Sequence, residues 1–453
     1  MTEIFSIAGI SDARNQYVLH EDNLKTFLGN TGLETIRSKV GSQHKPLHKQ
    51  RFVCCWKHYP YSITCGSTIF KQMIIGFDGK RAFQNRTGLG NYSRSLLTIL
   101  RQYYPADDYI LFAPRQTNLF PLAVEDNVRV IVPTKALHKR FPTLWRRKAM
   151  VKEIEEAAPD VYHGLSNELP IGIEKLALKK VVTIHDLIFE RFPATYNFDE
   201  RYVHRWKIKR ACKIADAIIA ISKQTRDDLV NIYGIAPGKI HTCYQSCNPI
   251  FEIEQTVQKK LEVKKRYDLP DKYFLFVSAI APRKNLLLIC QAMAANRTEL
   301  NLPLVVIGDG KKEKATVKAF MEKAGLSHLL VFLNEKPLAQ EDAFTSGNDF
   351  PAIYQQALAL IYPSLFEGFG LPILEALWSG LPVICTNTSS LPEVAGQAAC
   401  YFEPGDSFQL AEHMKQIILD PALAADLRNK GFEQAQQFTR DKYARAIMNV
   451  YTK

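Results

Sequence analysis

Short, nearly continuous apolar runs recur along this chain, separated by stretches with helical periodicity. That alternation restricts the fold more than any other feature. From Met73 onward, strand-length runs stand at 74–77, 109–112, 128–132, 161–163, 181–184 and 217–221. After a charged stretch at 251–271, a second series follows at 273–277, 304–307, 329–333, 357–362 and 383–386. Between them, residues 91–103 place Leu96, Leu97 and Leu100 on one helical face, and further helices are expected at 285–294, 312–324, 372–379, 408–419 and 422–438. Gly325 and Gly380 follow helical runs, where a C-terminal glycine is expected. Apolar strands alternating with helices form parallel sheets covered on both faces. The expectation is an α/β chain of two doubly wound domains facing a cleft, with ligand at the strand carboxyl ends.

The 453 residues are too many for one ordinary core, which agrees with two domains. The expected boundaries are 73–255 for the first and 256–438 for the second, with a final helix in 439–453 packing back on the first. Residues 1–72 read differently: nine Lys/Arg stand against five Asp/Glu with no sustained period. They are either a poorly ordered extension, a start assigned too early with Met73 as the natural one, or a small accessory subdomain. No apolar run approaches the roughly 20 residues that span a bilayer, and acidic residues interrupt any signal-like start. A cytoplasmic enzyme, peripheral on the inner membrane face if attached at all, is expected. The nine cysteines are scattered and read as reduced thiols; Cys243 and Cys247 have metal-site spacing, but no partner pair follows.

The chemistry concentrates in Pro363-Ser364-Leu365-Phe366-Glu367-Gly368-Phe369-Gly370-Leu371-Pro372, with Glu375 beyond. Pro363 ends a buried strand, Gly368 and Gly370 let backbone approach a ligand, and Pro372 suits the start of a helix. A helix start supplies partial positive charge to a diphosphate, and two carboxylates accept sugar or ribose hydroxyls. Ala281-Pro282-Arg283-Lys284-Asn285 also follows a strand and offers fixed cations; a solvated helix start is the plain alternative. Gly308-Asp309-Gly310 closes another strand. In the first domain, Thr87-Gly88-Leu89-Gly90 lies between the first strand and helix, and His185-Asp186 and His163-Gly164 end strands on the cleft side. A capping histidine with Asp186 as partner is the alternative for His185.

Taken together, the segment from Pro363 to Glu375 resembles the E-x7-E motif of the retaining glycosyltransferases of family 4, which have the GT-B fold. Leu391-Pro392-Glu393-Val394-Ala395-Gly396, Phe402-Glu403-Pro404 and Thr183-Ile184-His185-Asp186-Leu187 resemble further segments of that family. The resemblance spans Met73 to the C-terminus. It implies transfer of a hexosyl group, mannosyl or glucosyl for example, from a nucleoside-diphosphate sugar to a glycan or lipid-linked acceptor in surface polysaccharide or lipopolysaccharide synthesis. Glu367, His185 and Lys284 would be the catalytic groups. Arg283, Lys284, Gly308, Gly368, Phe369, Gly370, Leu371, Glu375, Gly88 and Gly90 would bind the donor, Glu375 at the ribose. Many relatives carry an arginine where Ser278-Ala279-Ile280 stands, so Arg283 either replaces it or braces the loop. No Asp-x-Asp accompanies the site, so no metal and no cofactor beyond the donor substrate are expected. A GT-B nucleotide-sugar epimerase and a catalytically silent nucleotide-sugar-binding subunit are the competing readings.

The net charge of +12 implies an anionic partner. Residues 135–148, from Lys135 to Lys148, mix cations with Phe141 and Trp145. They are either a face that docks on an anionic membrane or an ordinary basic surface. No recognised nucleic-acid module accompanies them, and no nucleic-acid partner is expected.

Overall fold

The computed structural model describes residues 72–121 and 127–453, together with a two-residue antiparallel ladder of Gln16–Tyr17 on Cys54–Cys55. The remaining expectations for 1–72 lie outside the described residues. The first sheet has seven parallel strands: β1 Ile74–Asp78, β2 Asp108–Phe112, β3 Val128–Ile131, β4 Val161–Gly164, β5 Lys179–Ile184, β6 Ala217–Ala220 and β7 Ile240–Thr242. Their order is β3-β2-β1-β4-β5-β6-β7. The second has six parallel strands: β8 Phe274–Val277, β9 Leu304–Ile307, β10 Leu330–Phe332, β11 Leu360–Tyr362, β12 Val383–Thr386 and β13 Ala399–Phe402, ordered β10-β9-β8-β11-β12-β13. Both sheets therefore reverse direction once, between β1 and β4 and between β8 and β11. Ligand sites of doubly wound sheets lie at the strand carboxyl ends beside such a switch point. The loops after β8 and β11 are the two segments singled out for their cations and carboxylates.

Strands β1, β2, β4 and β11 are almost wholly buried, which is why their sequences read as continuous apolar runs. Strands β7 and β13 were not foreseen. Each lies at a sheet edge and is half-buried over most of its length, so its pattern is weak. The charged stretch 251–271 is more ordered than a bare connection: Thr256 caps an 11-residue helix, Val257–Tyr267, that buries Val263 and Tyr267. Gly325 and Gly380 take left-handed backbone at φ 72° and 65° beyond their helices. The last helix, Arg440–Thr452, buries Tyr443, Ala444, Ile447 and Tyr451, and Tyr451 reaches into the first domain to His163.

Candidate functional site

The loop after β11 is held from below by the turn after β12. Thr386 donates its hydroxyl to the Ser364 carbonyl at 2.5 Å, and the Glu367 amide donates to Ser389 Oγ at 2.9 Å. Ser390 Oγ contacts the carbonyls of Glu367 at 3.0 Å and Phe369 at 2.7 Å. Gly370 adopts φ 113°, a conformation that favours glycine, and the helix Leu371–Trp378 begins there with Pro372 in its first turn. None of these hydroxyl residues stood out in the sequence, because Ser and Thr after a strand are ordinary turn residues.

Lys284, in the turn after β8, places its ammonium against the buried Glu367 carboxylate and 3.2 Å from the Tyr362 hydroxyl. Arg283 stands 3.2 Å from the same carboxylate and donates to the Phe366 carbonyl. Arg283 thus braces the loop and also adds charge to the cluster. Burial alone would raise the Glu367 pKa, but Lys284 and Arg283 hold it below the ordinary value. Burial lowers the Lys284 pKa in turn, against the pull of Glu367. Two cations and one carboxylate leave net positive charge at the second-domain switch point, where a diphosphate is best stabilised.

Glu375, on the helix Leu371–Trp378, accepts a hydrogen bond from the Tyr354 hydroxyl at 2.9 Å. Burial pushes its carboxyl up to about 7, with the Tyr354 bond opposing. Gly308 and Gly310 serve a packing purpose. A Cβ on either would overlap the carbonyl of Ser278 at 1.8 Å or of Ile280 at 1.9 Å, and the Gly308 amide donates to Asn334 at 2.7 Å. That amide is already committed within the protein, and the missing Cβ lets two strand-end loops close on one another.

Across the cleft, His185 is buried and donates from Nε2 to the Leu165 carbonyl at 2.8 Å, since a carbonyl can only accept. Its side chain is not partnered by Asp186, whose Oδ1 accepts the Ile188 amide at 3.1 Å. Burial lowers the His185 pKa to about 4, so at neutral pH the ring is uncharged and Nδ1 is its acceptor. Gly368 explains how the halves meet: a Cβ there would lie 2.4 Å from the His185 carbonyl oxygen. The loop of the second domain is pressed on the strand end of the first, bringing Asp186 within electrostatic reach of Arg283, Lys284 and Glu367. Phe369 buries its ring against Tyr244 and Phe438, so only its backbone is left to face a ligand.

Three expectations need correction. The 88–90 segment is no loop but the first turn of the helix Gly88–Tyr103; Gly90 is required by the Asn85 carbonyl, 1.8 Å from where its Cβ would lie, and Gly88 faces open space. His163 does not line the cleft. It is fully buried between Tyr451 at 2.7 Å and Thr183 at 2.8 Å, with its pKa lowered by burial to about 3. Within 135–148, Arg146 is not a surface cation but a buried hub paired with Asp78 and Glu168, and Trp145 is fully buried beside it. Among the described residues, no group of three or more His, Cys, Asp or Glu is placed to hold a metal ion.

Two family models match the chain: glycosyl transferases group 1 over residues 257–434 and glycosyltransferase family 4 over residues 88–249. O-antigen chain mannosyltransferase B of Escherichia coli is 28% identical over 385 residues, covering 81% of this chain and 96% of that protein. The O-antigen chain mannosyltransferase RfbU of Salmonella typhimurium is 24% identical over 355 residues, covering 76% and 90%. The structure of Anabaena HepE, solved with UDP and glucose, superposes with a TM-score of 0.64 at 15% identity, over 84% of this chain and 100% of that one. At that identity the likeness is one of fold.

Proposed function

The chain belongs to the family 4 glycosyltransferases of the group 1 type, and we propose that it moves a hexosyl group, mannosyl foremost, from a nucleoside diphosphate to a glycan or lipid-linked acceptor during assembly of a surface polysaccharide. The observation that carries this reading is the Arg283–Lys284–Glu367 cluster at the second-domain switch point, with Glu375 on the helix that follows and the His185 backbone against Gly368. The mannosyl preference rests on the names of the relatives. A nucleotide-sugar epimerase or a silent binding subunit is not favoured, because the relatives carry transferase names and the charged cluster is complete.

Retention of configuration is part of this reading. Lys284 and Arg283 stabilise the departing diphosphate, while a phosphate oxygen takes the proton of the attacking acceptor hydroxyl on the same face. The only carboxylate in the cluster of the second domain is Glu367, and it is bound to Lys284, which suits it to orient sugar hydroxyls better than to attack carbon. The fixed cations take the place a divalent metal would fill. Proton NMR of the product, made in excess chelator, tests both points: an α-linked product from an α-linked donor supports the reading, and an inverted anomer or activity abolished by chelator contradicts it.

Glu375 makes donor binding depend on pH. Ribose hydroxyls donate to lone pairs, so the ionised carboxylate is the stronger acceptor. With a pKa of about 7, Glu375 is protonated below neutrality, and nucleoside diphosphate affinity falls as pH drops, by at most about tenfold per unit. Isothermal titration on both sides of pH 7 measures this. Glu375→Gln should flatten the part of the slope due to this group; an identical slope in the variant would remove Glu375 from the site.

Among the described residues, the surface around 135–148 is suited to a bilayer. Lys135, Lys139, Arg140 and Lys148 are exposed beside Leu137, Phe141 and Leu144, each more than half exposed. Arg147 stands 5.9 Å over the ring of Trp206, joining this patch to the helix Phe198–Ile214, which also exposes Phe198 and Tyr202. Apolar tips within a ring of cations match an anionic interface, and this would hold the enzyme at the inner membrane face. The protein should sediment with phosphatidylglycerol vesicles, less so in high salt, and Phe141→Asp should release it. Equal binding to neutral vesicles would argue against the electrostatic part.

A further inference from the structure

Glu393 lies in the short helix Leu391–Ala395 of the second domain, yet its carboxylate serves the first. One oxygen accepts the Lys223 amide at 2.9 Å and the other the Gln224 amide at 3.2 Å. These are the first two amides of the 11-residue helix Lys223–Tyr233, whose third, Thr225, bonds to the capping Ser222 at 3.0 Å. The helix start is therefore capped partly by its own domain and partly by the other. A carboxylate at a helix N-terminus also gains from the helix dipole. Tyr244 of the first domain adds its hydroxyl to Glu393 at 3.0 Å.

Both ends of this contact lead to the reaction cleft. On the first-domain side, the Thr225 hydroxyl donates to the His185 carbonyl at 3.1 Å, the same oxygen that leaves no room for a side chain at Gly368. On the second-domain side, Ser389 and Ser390 precede Glu393 by four and three residues and hold the backbone of Glu367 and Phe369. Tyr244 packs on Phe369, with ring centroids 6.2 Å apart. We propose that Glu393 is a positioning residue: it latches the second domain to the first by capping the helix Lys223–Tyr233 across the cleft, and so seats the loop of Glu367 against His185.

The latch contributes only when the domains are together, because apart the Lys223 and Gln224 amides turn to water. It therefore sets the fraction of molecules in the closed arrangement, and the apparent donor affinity scales with that fraction. The consequence for the donor rests on the transferase reading above; the consequence for domain opening does not. In Glu393→Ala the donor KM should rise about tenfold with kcat within about twofold. Small-angle scattering should show a larger radius of gyration, and amide exchange should quicken at the start of the Lys223–Tyr233 helix while the rest of the protein keeps its protection. Glu393→Gln retains one acceptor and should fall between. If Glu393→Ala does not fold, Tyr244→Phe, which removes one bond and keeps the ring, should raise donor KM by about twofold to threefold. An unchanged radius and unchanged exchange would overturn the latch whatever the substrate is. A loss of melting temperature and kcat together, with KM unmoved, would reduce Glu393 to a structural residue. Opening without any glycosyl transfer would leave the latch standing and remove the transferase reading alone.

Discussion

Replacing Lys284 by methionine should lower kcat by about a hundredfold to a thousandfold in protein that still folds, because Glu367 keeps Arg283 as a partner, as a kinetic and calorimetric comparison would show. Methionine keeps length and apolar contact with the Tyr362 ring, over which the ammonium stands at 5.4 Å, but removes the charge. Two unit charges about 4 Å apart attract by about 4 kcal/mol at an effective dielectric near 20. A departing diphosphate that loses one such partner loses up to about three decades of rate at 1.4 kcal/mol per decade, with Arg283 left to supply the remainder. The pH profile should move as well. Burial raises the Glu367 pKa and Lys284 is the largest opposing influence, so its removal shifts the acid limb to higher pH. A variant with near-normal kcat and an unmoved acid limb would show that Lys284 only supports the loop.

The largest effect on stability is expected away from the chemistry, at Arg146. Its guanidinium donates from Nε to both Asp78 oxygens at 3.1 Å and pairs with Glu168 on its other side. Arg146 and Asp78 are 7% and 3% exposed, so solvent cannot take over when one partner is lost. Removing one member of a buried ion pair costs about 3–5 kcal/mol, far more than a surface pair, because a charge is stranded. Arg146→Met should therefore lower the unfolding free energy by about that amount, read by denaturant titration. Burial raises the Glu168 pKa, while Arg146 and Lys207 bring it below the ordinary value. A depressed carboxyl contributes stability above its unfolded pKa, and that contribution is lost as pH falls through the folded value. The deficit of Arg146→Met should accordingly shrink in acid. Adding Asp78→Asn should recover part of the loss; no recovery would point to lost packing instead of stranded charge.

The contrast between Arg146 and Lys284 illustrates what a sequence of this kind conveys. Strand ends and glycine loops are local signals, and β8 and β11 with their cation and carboxylate loops were readable because each signal is complete within about fifteen residues. The two-domain α/β class followed from the same periodicity. Pairings between distant segments were not readable. Arg146 looked like one of several surface cations, because Asp78 and Glu168 approach it only once β1 and β4 lie side by side. Gly308 and Gly368 suggested ligand approach, and each also meets a backbone carbonyl brought against it from elsewhere in the fold, whereas Gly90 meets that of Asn85, five residues before it. His163 carried the same local pattern as His185 and became a core residue, because the final helix delivers Tyr451 to it. Edge strands β7 and β13 escaped notice since half-burial weakens their periodicity.

A transferase of this kind turns over a nucleotide sugar at the switch-point cluster only when an acceptor is present. Purified protein incubated with a panel of nucleotide sugars, with and without bacterial membrane extract, reports this through nucleoside diphosphate release. The predicted result is release from one donor, dependent on the extract, and reduced along with donor affinity in Glu375→Ala. Release without acceptor, or turnover and donor affinity unchanged by Glu375→Ala, would contradict it.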